Sequence, residues 1–187
     1  MRARKLVLIA AGVLAVSFLV ADLAFADDVI WFRARLESCC GDPEPEAEGK
    51  ADRRTQFKRG VAWKDKFSAK VEIPVPSPGL GILTPLDAQL ADVRLVLSRA
   101  GVVYAECMLV LDDDEGAEGE AEYHVDLEFR TRTGRAGLRA RHGSCDVDLV
   151  TPGVQNGVPD VQDGDVATVN VMGLVAVPFA DGMFRQK

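Results

Sequence analysis

Residues 123–130, Tyr-His-Val-Asp-Leu-Glu-Phe-Arg, alternate between apolar and polar side chains at every step. Because successive side chains of a β-strand point to opposite faces of the sheet, this pattern is typical of a strand with one buried face and one face in water. The same period of two recurs in residues 30–36, 67–75, 93–98, 145–149 and 167–171. The sequence therefore predicts an all-β protein.

Seven or eight such strands with turns between them predict a single β-sandwich. The alternation resembles that of immunoglobulin-like exported domains at the level of architecture, and architecture alone assigns no function. A closed β-barrel is the alternative, because alternation does not distinguish the two folds. Residues 102–111 are apolar on both faces, which favours a central strand covered on both sides.

The first 26 residues have the organisation of a secretory signal peptide. Basic residues at the start are followed by an uncharged apolar run, residues 6–21, and then by Ala24-Phe25-Ala26. This order predicts a leader helix that is removed before Asp27. The run is shorter than the roughly 20 residues of a spanning helix, which argues against a membrane anchor. Residues 27–187 are then expected to form one exported domain, periplasmic or extracellular, with a polar loop at residues 41–54.

The charge of the chain limits its partners. The formal net charge is −7, and it becomes −9 once the leader, with three of the 22 basic and one of the 29 acidic residues, is removed. An acidic protein is repelled by phosphate backbones and by anionic lipid headgroups. We therefore expect neither nucleic acid nor a membrane surface as partner, and instead a protein or glycan ligand.

The four cysteines, Cys39, Cys40, Cys107 and Cys145, all follow the predicted cleavage position. In an exported protein an even number of cysteines predicts disulfides. Two schemes join one residue of the vicinal pair to Cys107 and the other to Cys145, and a third scheme joins Cys107 to Cys145. The spacing of His142 and Cys145 also suits a metal ligand pair, with Cys39 and Cys40 as a distant second half, although disulfides are favoured.

Two acidic loops are candidates for Ca²⁺ binding, because Ca²⁺ takes six to eight oxygen ligands in flexible geometry. Seven of the eleven residues in 112–122 are acids, and three more acids surround the predicted turn at Asp163-Gly164. The spacing is not that of an Asp-x-Asp-x-Asp-Gly calcium loop, and both loops are more typical of solvated turns. The candidate ligands are Asp112, Asp113, Asp114, Asp160, Asp163 and Asp165. No cofactor other than Ca²⁺ is expected.

The remaining candidates for chemistry are few. His124, Asp126 and Glu128 share one outward face, a pattern that suits acid–base catalysis but also an ion-paired strand surface. Nucleophile elbows, phosphate loops and dinucleotide fingerprints are absent from the sequence. Trp31 is the best candidate for an exposed aromatic platform. The sequence thus predicts a noncatalytic binding or structural accessory module. The alternatives are a Ca²⁺-dependent adhesion or carbohydrate-binding module and a small exported hydrolase.

Overall fold

The computed structural model describes residues 28–38, 47–74, 92–112, 120–132, 135–147, 154–155, 157–172 and 176–187. These residues form thirteen strands, which confirms the all-β prediction. The strands are β1 (Val29–Ser38), β2 (Glu48–Lys58), β3 (Val61–Pro74), β4 (Asp92–Arg99), β5 (Val102–Leu111), β6 (Glu120–Arg132), β7 (Arg135–His142), β8 (Ser144–Val147), β9 (Val154–Gln155), β10 (Val158–Pro159), β11 (Val166–Met172), β12 (Ala176–Met183) and β13 (Arg185–Gln186).

Several sequence predictions fall on other parts of the chain. The leader at residues 1–26, the vicinal cysteines Cys39 and Cys40, and the acids Asp113 and Asp114 lie outside the described residues. Within the described ranges, no helix has the length and apolar character needed to cross a membrane.

Eight of the described strands close into an antiparallel barrel in the order β1, β2, β3, β6, β5, β4, β11, β12. The last strand returns to β1 through the pairs Glu37–Asp181 and Ser38–Ala180. The prediction of a sandwich with immunoglobulin-like architecture is therefore wrong, and the closed barrel given as its alternative is observed. The difference is that the edges of β5 and β6, which a sandwich would leave open, are hydrogen-bonded to each other.

The junction of β5 and β6 is short. Among the described residues, the strand pairs across it are Val110–His124 and Leu111–Tyr123, and from there toward the start of β5 the two strands diverge. The gap is filled by β7, which pairs with β6, and by β8, which pairs with β5. We call this junction the seam. Gly143 joins β7 to β8 with φ of 64°, so the chain reverses at the point where β5 and β6 separate.

The inward faces of the barrel are those that the alternation predicted. The inward residues in the central parts of β3, β4 and β6 are 3 % exposed or less. They include Phe67, Ala69, Val71, Ile73, Val93, Leu95, Leu97, Tyr123, Val125 and Leu127. Burial of this apolar surface is the main favourable contribution to folding. Since the core lies inside a closed barrel, the opposite face of each strand is directed outward.

Two predictions about individual segments are corrected by the structure. The outer side chains of β5 are not covered, because Val103, Met108 and Val110 are 52, 48 and 41 % exposed. Residues 48–54, predicted as part of a polar loop, instead form the first half of β2. Their inward positions carry no large apolar side chain, because Ala51 is small and Arg53 is buried as an ion pair.

A buried polar network closes the end of the barrel at which β4 meets β5. Arg53 donates to both carboxylate oxygens of Asp65, at 3.3 and 2.9 Å, and to the carbonyl of Val161 at 3.0 Å. Arg99 binds both oxygens of Asp165 at 2.9 Å, and the hydroxyl of Tyr104 donates to the same carboxylate. These contacts fix the segment between β10 and β11 against the end of the barrel, with Val161 and Asp165 buried.

The seam generates a prediction about Gly143. A Cβ at this position would lie 2.4 Å from the carbonyl oxygen of Met108, and the positive φ is itself unfavourable for alanine. We expect Gly143→Ala to lower the free energy of unfolding by about 2–4 kcal/mol, measured by chemical denaturation. Gly137→Ala in β7 is the matched control, because a Cβ there meets open space. Equal stability of the two variants would contradict the described turn.

The buried network generates a second prediction. Arg53→Met removes the cation that pairs with the buried Asp65 and with Asp160, so it leaves uncompensated charge in the barrel. We expect a loss of about 3–5 kcal/mol in the free energy of unfolding. Arg54→Met changes the neighbouring exposed residue and should leave the melting temperature nearly unchanged. A similar effect of both substitutions would show that Arg53 is not buried.

Candidate functional site

A polar cleft of about 270 Å³ lies on the outer face of the barrel over β2, β3 and β6. Its position follows from the alternation, since residues next to inward core positions are directed outward. The pairing register of the strands places the residues that line the cleft opposite one another. Asp126 is opposite Ser68 on β3 and opposite His142 on β7, whereas His124 is opposite Lys70.

Three potential metal ligands converge at one end of the cleft. One ligand atom each from Asp112, Glu122 and His124 lies within 4.8 Å of the others. Asp112 continues the line of β5 beyond the seam, where its amide donates to the carbonyl of Glu122 at 2.8 Å. Nδ1 of His124 lies 3.3 Å from Oδ2 of Asp112. We call these three residues the cluster.

The second histidine of the chain lies beside the cluster. The rings of His124 and His142 meet edge to face, with centroids 4.1 Å apart. His142 is exposed and is the last residue of β7, directly before the turn at Gly143. The seam therefore brings together two histidines that are 18 positions apart in the sequence.

Lysine side chains hold the carboxylates of the cleft. Nζ of Lys70 lies 2.6 Å from Glu122 and 3.2 Å from Glu72, and Nζ of Lys66 lies 3.1 Å from Oδ2 of Asp126. The hydrogen bond to Glu122 is the largest contribution that raises the pKa of Lys70 above its ordinary value. Oδ1 of Asp126 is buried and has no hydrogen-bond partner among the described residues.

The structure separates the acids that the sequence proposed as Ca²⁺ ligands. Asp112 joins the cluster, whereas Asp160 and Asp165 are bound by Arg53 and Arg99 at the other end of the barrel. Asp163 accepts a hydrogen bond from the amide of Gln186 at 2.9 Å. Asp165 is bonded to Tyr104 near the start of β5 and Asp112 directly follows its end, about 25 Å away along the strand, so these two acids do not share an ion.

Glu128, the third polar candidate on β6, is a buried member of an ion-paired group. Glu128, on the same outward face as His124 and Asp126, is 6 % exposed and ion-paired with Lys64 and Arg130. Burial would raise the pKa of Glu128, but the hydrogen bonds from Arg130 and Lys64 outweigh it, and the pKa lies below its usual value.

Trp31 is half-buried rather than free on the surface. Its indole N–H donates to Asp52 at 3.0 Å, and the guanidinium of Arg33 lies 4.5 Å from the ring centroid. One face of the ring is therefore occupied by Arg33, which leaves less of it for stacking on a sugar.

Of the bonds in the three predicted schemes, the Cys107–Cys145 bond of the third is observed, whereas Cys39 and Cys40 lie outside the described residues. Cys107 and Cys145 form a disulfide that joins β5 to β8, with their Cα atoms 3.9 Å apart. The ligand pair of His142 and Cys145 is therefore wrong, because the sulfur of Cys145 is bonded to Cys107. A disulfide agrees with an oxidising compartment, as the leader prediction expects.

Sequence reasoning missed Glu122 and His142 as parts of one site. The sequence could have placed Glu122 in the site, because Glu122, His124 and Asp126 are spaced two residues apart and so share the outward face of β6. No such signal exists for His142, because its position depends on the reversal at Gly143 and on the register of β7 against β6.

Neither a protein-family model nor a curated protein nor a solved structure matches this chain.

The Lys70–Glu122 pair generates a pH prediction. Because the folded-state pKa of Lys70 is raised, the stability from this pair is present below the ordinary value of 10.5 and is lost as the pH rises through the raised pKa. We expect Glu122→Gln to lower the pKa of Lys70, measured by an NMR titration of its ε-methylene group. Glu120→Gln changes an exposed acid two residues away and should leave that pKa where it is. An unchanged midpoint in Glu122→Gln would contradict the ion pair.

Proposed function

We propose that this chain is an exported, noncatalytic binding module whose ligand occupies the outer cleft over β2, β3 and β6. The observation that carries the proposal is the convergence of Asp112, Glu122, His124 and His142 in that cleft. Glu122 and His124 lie on the barrel strand β6, His142 ends β7, and Asp112 directly follows β5. Rigid strands hold binding groups more precisely than loops do.

The geometry favours binding over hydrolysis. A glycosidase-type mechanism needs one protonated carboxyl group aimed at the substrate. In the cleft, Glu122 and Asp126 are each ion-paired with a lysine, at 2.6 and 3.1 Å. Ser68 lines the same cleft, but within the described ranges no hydrogen bond links it to either histidine. The hydrolase alternative therefore has less support than the binding module.

The chemistry of the cleft favours a polar ligand. Acidic and basic side chains both line it, and Lys50 and Lys70 stand across from the carboxylates. Trp31, the proposed sugar platform, carries Arg33 on its ring. A ligand bound by ion pairs and hydrogen bonds fits this surface better than one bound by aromatic stacking. The disulfide supports the export part of the proposal.

The proposal is tested with a variant that fills the cleft. Ser68 is half-buried on β3 between Asp52 and Asp126, so Ser68→Arg places a long side chain in the cleft. The mature protein is immobilised and exposed to the extracytoplasmic fraction of the source cells. We expect the wild type to capture a species, identified by mass spectrometry, that Ser68→Arg fails to capture.

The matched control is Thr168→Arg on the outer face of β11, on a different part of the barrel wall. It should capture the same species as the wild type. Capture that is equal in Ser68→Arg and wild type, or no captured species at all, would contradict the cleft as the binding surface.

A further inference from the structure

We propose that the cluster of Asp112, Glu122 and His124 is a binding site for a divalent transition-metal ion of the Zn²⁺ class, with His142 as an additional nitrogen donor. This inference deepens the proposed function, because the ion would be a ligand of the same cleft.

The separations in the cluster suit a single ion. Four ligands held tetrahedrally at the Zn–N and Zn–O bond lengths of about 2.1 Å lie roughly 3.4 Å from one another. Nδ1 of His124 and Oδ2 of Asp112 are already 3.3 Å apart. The ligand atoms of the whole cluster lie within 4.8 Å of one another, so small side-chain rotations bring them to an ion.

The donor set selects the class of metal. Ca²⁺ and Mg²⁺ are bound by oxygen ligands, whereas imidazole nitrogen is preferred by Zn²⁺, Ni²⁺ and Cu²⁺. The cluster offers one imidazole and two carboxylates, and the exposed ring of His142 lies 4.1 Å from that of His124. A mixed nitrogen and oxygen donor set therefore favours an ion of the Zn²⁺ class over Ca²⁺ at the cluster.

An independent observation also points to a cation in this cleft. Oδ1 of Asp126 is buried without a hydrogen-bond partner in the described part of the chain, although its other oxygen binds Lys66. A buried anionic oxygen without a donor is costly, and an ion bound nearby lowers that cost. Asp126 lines the cleft together with both histidines.

The surrounding structure holds the ligands in place. His124 lies on β6 within the seam, Asp112 directly follows β5 and is hydrogen-bonded to the backbone of Glu122, and Lys70 pairs with the Glu122 carboxylate. The Cys107–Cys145 disulfide anchors β8 three residues after His142. Because these contacts already orient the ligands, less free energy is lost in ordering them when the ion binds.

The test uses the mature protein without a histidine tag, titrated with ZnCl₂ and with CaCl₂ in a calorimeter. We expect one Zn²⁺ to bind per chain with micromolar affinity and Ca²⁺ to give no heat. Loss of a ligand in His124→Asn should weaken Zn²⁺ binding at least about 100-fold, and loss of the exposed donor in His142→Asn about tenfold. Asp163→Asn removes an acid at the other end of the barrel and should bind like the wild type.

Spectroscopy supplies a second readout. The sequence holds only two histidines, so their imidazole signals are readily assigned. We expect both signals to shift on Zn²⁺ addition, and Co²⁺ to give the visible absorption of a tetrahedral or five-coordinate site. If His124→Asn is unfolded by circular dichroism, Asp112→Asn gives the same comparison from the adjacent strand.

The proposal is overturned if Zn²⁺ binds only in the millimolar range, if Ca²⁺ binds more tightly than Zn²⁺, or if folded His124→Asn binds Zn²⁺ as well as the wild type. The two proposals fail separately. No Zn²⁺ binding, together with capture that Ser68→Arg abolishes, removes the metal site and leaves the binding module. Tight Zn²⁺ binding, together with capture that Ser68→Arg does not affect, leaves the metal site and removes the cleft as the binding surface of the module.

Discussion

The two paired positions that join β5 to β6, Val110–His124 and Leu111–Tyr123, are the constraint on which the rest of the molecule depends. Without them the barrel would be open between β5 and β6, because the remaining pairings form one continuous sheet whose end strands are β7 and β8. With them, eight strands share one interior, and the core faces predicted by alternation in β3, β4 and β6 are directed toward the same volume. The seam is short, so the remaining length of both strands must be covered by β7 and β8, and the sharp reversal between these two requires glycine at position 143.

The same junction brings together the potential metal ligands of the cleft. His124 takes part in the seam itself, Asp112 follows its last pair on β5, and His142 arrives where β7 ends. A sandwich built from the same strands would give no reason for Asp112 and His124 to meet. The disulfide between Cys107 and Cys145 holds β8 against β5 on the other side of the gap. Closure of the barrel and assembly of the candidate metal ligands are thus consequences of one junction, and a change in the junction is expected to affect both.

The sequence predicted local structure well and long-range structure poorly, for physical reasons. Alternation in residues 67–73 and 123–127 identified the inward faces, because the period of a strand is a local property. It did not distinguish a barrel from a sandwich, because closure depends on which edges pair. Residues 48–54 looked like a loop, since their inward positions hold Ala51 and the ion-paired Arg53 instead of large apolar groups. Of the candidate site, Asp112 and His124 were singled out for separate reasons, but their partnership with Glu122 and His142 depends on register and on the turn at Gly143.

The central claim is the closed seam, and amide hydrogen exchange with cross-strand NOEs in ¹⁵N-labelled mature protein tests it most directly. A closed barrel predicts an NOE contact between the backbones of Val110 and His124, and slow exchange of the seam amides at a rate comparable with that of the central β3–β6 pairs. Fast exchange at residues 110, 111, 123 and 124, with no NOE between the two strands, would show open sheet edges and would contradict both the barrel and the site built on it.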